Sequence, residues 1–285
     1  MKQRLDIVLV ERGLAESRAK AQALIMAGDV LVDGQRVDKA GAQVAPESAV
    51  TVRQPLPYVS RGGLKLAHAL DVFGLRARLV GLAALDIGAS TGGFTDVLLQ
   101  SGVRLVYAVD VGTNQLAWKL RTDPRVVVME QTNIRDLQAL PPANDLQDIR
   151  DTPLLADLAT ADVSFIGLDL ITPAATRLTT PNAFFVFLIK PQFEAGREKV
   201  GKGGVVRDPA VHHDVIIRLI NSWRDKGLYF AGLTRSPITG PAGNVEYLVH
   251  LEKSEPSPDN QYSPDTVWRT VEQIVTSEVL KHGES

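Results

Sequence analysis

Over the first fifty residues, apolar positions recur at helical spacing and then fall into short extended runs. Leu5, Val8 and Leu9 form one stripe, and Ala21, Leu24 and Ile25 form another. Gly13 ends the first helix, and Ser17 is placed to cap the second. VLVDGQRV follows, two extended runs around Asp33-Gly34, the strongest short-range hairpin signal. Residues 1–53 therefore predict a compact helix–helix–hairpin module. QPLP, residues 54–57, reads as semi-rigid chain within a linker spanning 54–60.

From residue 61 the rhythm changes. Short β-rich runs occur at LAALDI (82–87), RLVYAVD (104–110), RVVVM (125–129), ATADVSFI (159–166) and AFFVFLIK (183–190), with helical patterns between them. Such alternation predicts an α/β fold with a mostly parallel, doubly wound sheet. LYFAGLT (228–234) and VEYLVHL (245–251) lie too close together for a crossover helix, so they predict an antiparallel pair. Seven strands ending this way fit a Rossmann-like methyltransferase sheet better than a plain dinucleotide fold. This second domain spans residues 61–253. Residues 254–285 open with the polar, proline-rich SEPSPDNQYSPD and close on a helical extension carrying Val267, Val271, Ile274 and Val275.

Composition narrows the chemistry. The chain has 285 residues and no cysteine, which excludes disulfides, thiolate metal sites and cysteine nucleophiles. The five histidines show no HExxH spacing, so no metal is expected. MKQRLDIVLVERG carries charge throughout and lacks the apolar core of a signal peptide. AFFVFLI is too short to span a bilayer, so a cytoplasmic protein is expected. The net charge is −2, but residues 1–78 hold twelve basic and eight acidic residues, and residues 254–285 hold two and six. A local excess of positive charge at the N-terminal side hints at an anionic partner there.

The run LDIGASTGGFTD joins a strand to a helical pattern through a loop of small residues, Gly88 to Gly93. A phosphate-binding P-loop would need Lys and Ser or Thr after its last glycine, where Phe94 stands. A dinucleotide fingerprint would need a glycine where Ala89 stands. S-adenosylmethionine, whose amino-acid end needs backbone groups and whose ribose needs a carboxylate, is the third guest. Asp110 closes the next strand, where a ribose-binding acid sits in nucleoside folds, and Glu130 lies just past the third. On its own the loop is moderately specific. No Asp/Asn-Pro-Pro-aromatic motif of base amine methylation is present, and carbon-5 pyrimidine methylation would need a cysteine. An oxygen acceptor or a small-molecule substrate is left.

Four charges interrupt apolar surroundings: Lys65 in SRGGLKLAHAL, Asp162 in ADVSFI, Lys190 in FFVFLIKPQFE and Glu246 in GNVEYLV. Uncompensated buried charges are costly, so two amines and two carboxylates in such places are expected to converge at the carboxyl edge of the sheet. Their order resembles the Lys-Asp-Lys-Glu tetrad of the FtsJ-type RNA 2′-O-methyltransferases. RLDIVLVERGLAESRAKAQALI, YVSRGGLKL, LDIGASTGGFTD, ADVSFI, IKPQFE and GPAGNVEYL are further similar to the TlyA, or hemolysin A, family of ribosomal-RNA cytidine 2′-O-methyltransferases. The resemblance covers about residues 4–252, and residues 1–53 resemble an S4 RNA-binding domain.

The resemblance implies an S-adenosylmethionine-dependent enzyme acting on ribosomal RNA. Lys190 would be the general base, Asp162 its partner, and Glu246 would orient Lys65 or the acceptor ribose. A lysine base must be neutral when it acts; burial, Lys65 and the donor's sulfonium favour that form, and Asp162 opposes it. Gly88, Ala89, Ser90, Thr91, Gly92, Gly93, Asp110 and Glu130 would hold the donor. On the RNA side, Arg4, Ser17, Arg18, Lys20, Lys39 and Arg61 are candidate phosphate contacts. Lys199 and Lys202 lie in EAGREKVGKGGVVR (194–207), whose four glycines and four basic residues suggest a lid that orders on RNA. Three other classes remain: an RNA-binding protein with an inactive methyltransferase domain, a membrane-lytic haemolysin, and a small-molecule O-methyltransferase. A haemolysin would need a long apolar or strongly amphipathic segment, and none is evident.

Overall fold

The computed structural model describes residues 2–53, 56–142, 154–255 and 262–277. Gln54 and Pro55 of the QPLP linker, most of the polar run before the fourth large-sheet strand (143–153), residues 256–261 of the second linker, and the end of the tail (278–285) lie outside these. The chain divides into two compact units, Met1–Pro57 and Tyr58–Ser285.

In the first unit, β1 (Gln3–Arg4) leads into α1 (Leu5–Glu11) and α2 (Arg18–Ala27), followed by β2 (Val30–Val32), β3 (Gln35–Arg36), β4 (Gln43–Val44) and β5 (Val50–Val52). Ser17 caps α2, its side chain accepting from Lys20 N at 3.2 Å. Asp33 and Gly34 both adopt positive φ (50° and 80°), the tight turn that joins β2 to β3. Leu5, Val8, Leu9, Ala21, Ile25 and Val30 close a small core.

Asp6 is fully buried at the start of α1. Its carboxylate accepts from Arg4 Nε and a terminal nitrogen (3.0 Å each), Arg18 Nε (2.9 Å) and Gln22 Nε2 (2.9 Å). The Arg4 guanidinium, helped by Gln22 and Arg18 and opposed by burial, holds the carboxyl well below the usual range. A carboxyl depressed on folding stabilises the fold above its unfolded pKa and loses that contribution as pH falls through the ordinary carboxylate range. Amide protection factors of the first unit, measured in the full chain and corrected for the intrinsic pH dependence of exchange, should therefore fall as pH drops below about 4. In Asp6→Asn that acid response should flatten; an unchanged response would refute the assignment.

In the second unit, α3 (Gly62–Val72) precedes β6 (Ala83–Ile87), α4 (Gly93–Gln100), β7 (Leu105–Val109), α5 (Trp118–Arg121) and β8 (Val126–Met129). Then come β9 (Ala156–Ala161), α6 (Leu168–Arg177), β10 (Thr179–Ile189), α7 (Pro191–Glu194), α8 (Pro209–Asp225), β11 (Tyr229–Arg235), β12 (Tyr247–Glu252) and α9 (Pro264–Thr276). Seven strands form one sheet in the order β11-β12-β10-β9-β6-β7-β8. All neighbours are parallel except at β12, which runs antiparallel to both β10 and β11.

The strands read as continuous apolar runs because both faces are covered. Alternate residues serve two cores. Ala84, Val106, Phe184 and Val186 pack with Leu66 and Leu70 of α3 and Phe94, Val97 and Leu98 of α4. Leu85, Tyr107, Phe185 and Phe187 pack with α6, α8 and α9. Along α8, Val215, Ile216, Leu219, Ile220 and Trp223 are buried at helical spacing, and each contributes on the order of 1.5–3 kcal/mol of burial. The helical extension packs back on this layer through Val271 and Val275. Tyr58–Ser60, read as linker, belong to the second unit, where Val59 N donates to Asp96 Oδ2 at 2.8 Å. Among the described residues, no helix is long and apolar enough to cross a membrane.

Candidate active site

Strand ends assemble the site. Asp162 follows β9 directly and Lys190 follows β10, so both leave the sheet at its carboxyl edge. β12 runs the other way, so its start brings Glu246 to that same edge, while α3 supplies Lys65. The expected fourth strand (159–166) ends at Ala161; Asp162–Ile166 form a loop in which Phe165 has φ +64°.

The four charged side chains meet there. Lys190 Nζ lies 2.5 Å from Asp162 Oδ1, Lys65 Nζ 2.6 Å from Glu246 Oε2, and Lys65 Nζ 3.9 Å from Asp162 Oδ2. Lys65, Lys190 and Glu246 are buried, at 7%, 8% and 2% exposure, so each charge depends on its partner. Two neutral polar groups extend this line. Lys190 Nζ donates to Ser164 Oγ (2.9 Å), and Gln192 Nε2 donates to Glu246 Oε1 (3.3 Å). The tetrad lines a cavity of about 360 Å³ together with Arg61, Gly88, Ala89, Ser90, Thr91 and Gly93.

A second cavity, of about 370 Å³, adjoins it and shares Gly88, Ser90, Asp162 and Ser164. Gly88 has φ +80°, and a Cβ there would come within 2.7 Å of the Asp162 carbonyl oxygen. Asp110 accepts from Ser90 N (2.8 Å) with one carboxylate oxygen and from Gly112 N (2.7 Å) with the other. Each oxygen has capacity for a further hydrogen bond, and Asp110 lines the second cavity. Val109, Val111, Ile134, Ile166 and Ile171 supply apolar wall. Beneath the loop, Asp86 accepts from Thr95 and Thr160 hydroxyls (2.6 and 2.9 Å), and burial pushes it up to about 6.

Gly92 and Glu130, expected at the donor, line neither cavity. Gly92 faces Leu116 and Leu120. Glu130 accepts from the backbone of Asn114, Gln115 and Leu116 and from Arg121. Burial works against its ionisation, yet the Arg121 guanidinium and those three N–H groups hold its carboxyl down at about 2. It fixes the loop that presents Gln115 to the second cavity.

The candidate RNA contacts fall on separate surfaces. In the first unit, Arg4 and Arg18 converge on Asp6, and Leu5 N and Asp6 N hold the 39–42 loop that carries the exposed Lys39. Ser17 and Lys20 are exposed on α2. Lys199 and Lys202 are exposed on segment 194–207. That segment is pinned at its far end, where Asn244 bonds Gly204 O and Val206 N (2.9 and 3.1 Å) and His212 Nε2 donates to Val206 O (2.9 Å).

Sequence reasoning passed over Ser164, Phe165 and Gln192, although all three stand in the quoted ADVSFI and IKPQFE. Phe165 is 91% exposed, with its ring centroid 4.9 Å from that of Phe193.

Comparison with known proteins places this geometry in context. Residues 58–253 match the FtsJ-like methyltransferase family, and residues 3–50 match the S4 domain. The chain is 50% identical over 274 residues to YqxC of Bacillus subtilis, whose name places it among rRNA methyltransferases; the match covers 95% of this chain and 94% of that protein. It is 44% identical over 250 residues to the 16S/23S rRNA (cytidine-2′-O)-methyltransferase TlyA of Mycobacterium tuberculosis, covering 87% and 89%. A solved Streptococcus thermophilus structure that carries a hemolysin name superposes with a TM-score of 0.71 at 44% identity, covering 100% of this chain and 99% of that one.

Proposed function

Because the chain belongs to the FtsJ-like methyltransferase family, we propose that it methylates the ribose 2′-hydroxyl of a cytidine in ribosomal RNA, using S-adenosylmethionine. The observation that carries this reading is the pairing of Lys190 with Asp162 and Ser164 at the mouth of the Gly88–Gly93 loop. The second cavity suits such a donor. Its glycine turn admits close approach, the spare Asp110 lone pairs suit a diol, and its apolar walls suit a flat base.

When bound, the donor supplies an electrophilic methyl group on a sulfonium. Lys190 would take the 2′-hydroxyl proton onto Nζ as general base. Asp162 and Ser164 both hold Nζ in place. Lys65, held by Glu246 and close to Asp162, balances the second carboxylate and orients the ribose. Catalysis then consists largely of alignment and proton removal. Phe165 offers the acceptor base an exposed face beside these groups. Arg4 and Arg18, braced by Asp6, together with Lys20, Lys39, Arg61, Lys199 and Lys202, supply charge for the RNA backbone. Ribosomal subunits as substrate place the work in the cytoplasm.

Labelled methyl groups offered with isolated 30S and 50S subunits should appear on a cytidine 2′-oxygen of the rRNA. Binding of both donor and subunits without transfer would instead favour an RNA-binding protein with an idle second unit, and label on small molecules alone would reject RNA as the substrate.

A further inference from the structure

Phe165 is costly to the fold twice over. A bulky side chain rarely adopts its φ of +64°, and its ring is left 91% exposed. Strain of this kind persists only where the surroundings hold it. Here the ring packs against Phe193, with centroids 4.9 Å apart and planes inclined at 49°. Both rings line a third cavity, of about 610 Å³, and Phe165 also borders the one lined by Asp110.

Phe193 belongs to the same turn of chain as Lys190. Its N–H donates to Lys190 O (2.9 Å), and its ring centroid lies 5.8 Å from Lys190 Nζ. The two segments that carry these rings, 162–168 and 190–194, are tied again on either side of them. At one end Lys190 Nζ holds Asp162 and Ser164. At the other, Glu194 Oε1 accepts from Leu168 N (2.8 Å), and Arg218 donates to Glu194 O (2.9 Å). In chain order, the Phe165–Phe193 contact falls between those two ties.

We propose that Phe193 is a positioning residue: it props Phe165 as the platform for the acceptor's nucleobase and so sets that platform's distance from Lys190. This rests on the methyltransferase reading above. Phe193 is bonded to the residue that removes the proton and packed against the ring that receives the nucleobase. Nucleobase and ribose are covalently joined, so a tilt of Phe165 moves the 2′-hydroxyl relative to Nζ. A displacement of about 1 Å can cost about a hundredfold in rate.

Single-turnover methyl transfer to ribosomal subunits, with subunits and donor saturating, reads the effect. Phe193→Leu keeps apolar bulk and removes the ring. It should slow transfer by about 10- to 100-fold while KM for subunits and donor affinity change little. Phe193→Tyr keeps the ring and should restore most of the rate. In Phe165→Ala the platform is gone, so transfer should be slow already, and adding Phe193→Leu should slow it no further. Equal slowing by Phe193→Leu in both backgrounds would show that Phe193 acts on Lys190 or on the fold rather than through Phe165, and would overturn the proposal. A wild-type rate in Phe193→Leu or in Phe165→Ala, or a loss that Phe193→Tyr does not recover, would overturn it too. No transfer to cytidine at all by wild-type protein would instead refute the methyltransferase reading.

Discussion

Lys190→Ala should slow methyl transfer by roughly a thousandfold or more, near the upper range for removing a general base. Donor affinity should change little. The cavity lined by Asp110, Val111 and Gln115 contains no atom of Lys190. Substitution leaves Asp162 and Glu246 with Lys65 alone, one amine for two buried or half-buried carboxylates, so some loss of stability accompanies the loss of rate. Lys190→Arg separates charge from chemistry. A guanidinium can replace the ion pair with Asp162, but it stays protonated and cannot accept the hydroxyl proton. It should restore stability and leave the rate as low as in the alanine variant. Single-turnover transfer of labelled methyl and calorimetric titration of the donor check both parts. An arginine variant that turns over at near the wild-type rate would remove Lys190 from its role as base.

Gly88→Ala should damage fold and site together. The added methyl would sit 2.7 Å from the Asp162 carbonyl oxygen and 3.1 Å from its carbon, both backbone atoms, on a residue with φ +80°. Side chains can swing aside, but these atoms cannot, because Asp162 N is bonded to Ile87 O at 3.0 Å. The methyl must part the ends of β6 and β9. A loss of about 2–4 kcal/mol follows from strain and overpacking, which in a domain of this size lowers Tm by about 5–15 °C. Displacing Asp162 also loosens its hold on Lys190, so transfer should fall by about a hundredfold, more than instability alone would give. Thermal melting and donor binding at a temperature where the variant is folded test this. A variant that melts with wild type and binds donor equally well would show that the turn is not tightly fitted.

Much of this was legible in the chain because charge and periodicity leave marks in one dimension. Lys65, Asp162, Lys190 and Glu246 stood out because each breaks an apolar stretch, and a core tolerates such a break only where partners meet. The Asp33-Gly34 hairpin and the α8 stripe were legible for similar reasons: a turn needing positive φ names its residues, and a helix names its buried face. Ser164 and Gln192 left no such mark. They are uncharged, follow conspicuous residues, and gain meaning only from the distance to Lys190 and Glu246 once the strands are in place. Asp162–Ile166 read as strand because Val163, Phe165 and Ile166 are β-prone, yet local propensity yields to the turn that aims Asp162 at Lys190. The place of Glu130 after a strand says that it lies at the sheet edge but not which way its side chain turns, and its bonds to the 114–116 loop and Arg121 appear only in three dimensions.

The reversed strand β12 has a consequence for how the molecule comes into being. Lys65 and Glu246 stand 181 positions apart and touch only after a strand made late in synthesis slots between β10 and β11. A nascent chain that already holds every other piece of the tetrad still lacks an inner member of its sheet, and β11 has no neighbour to join. A polypeptide cut short before residue 247 is therefore left with a gap inside its sheet rather than a missing fringe, and its four charged side chains have no finished edge on which to meet.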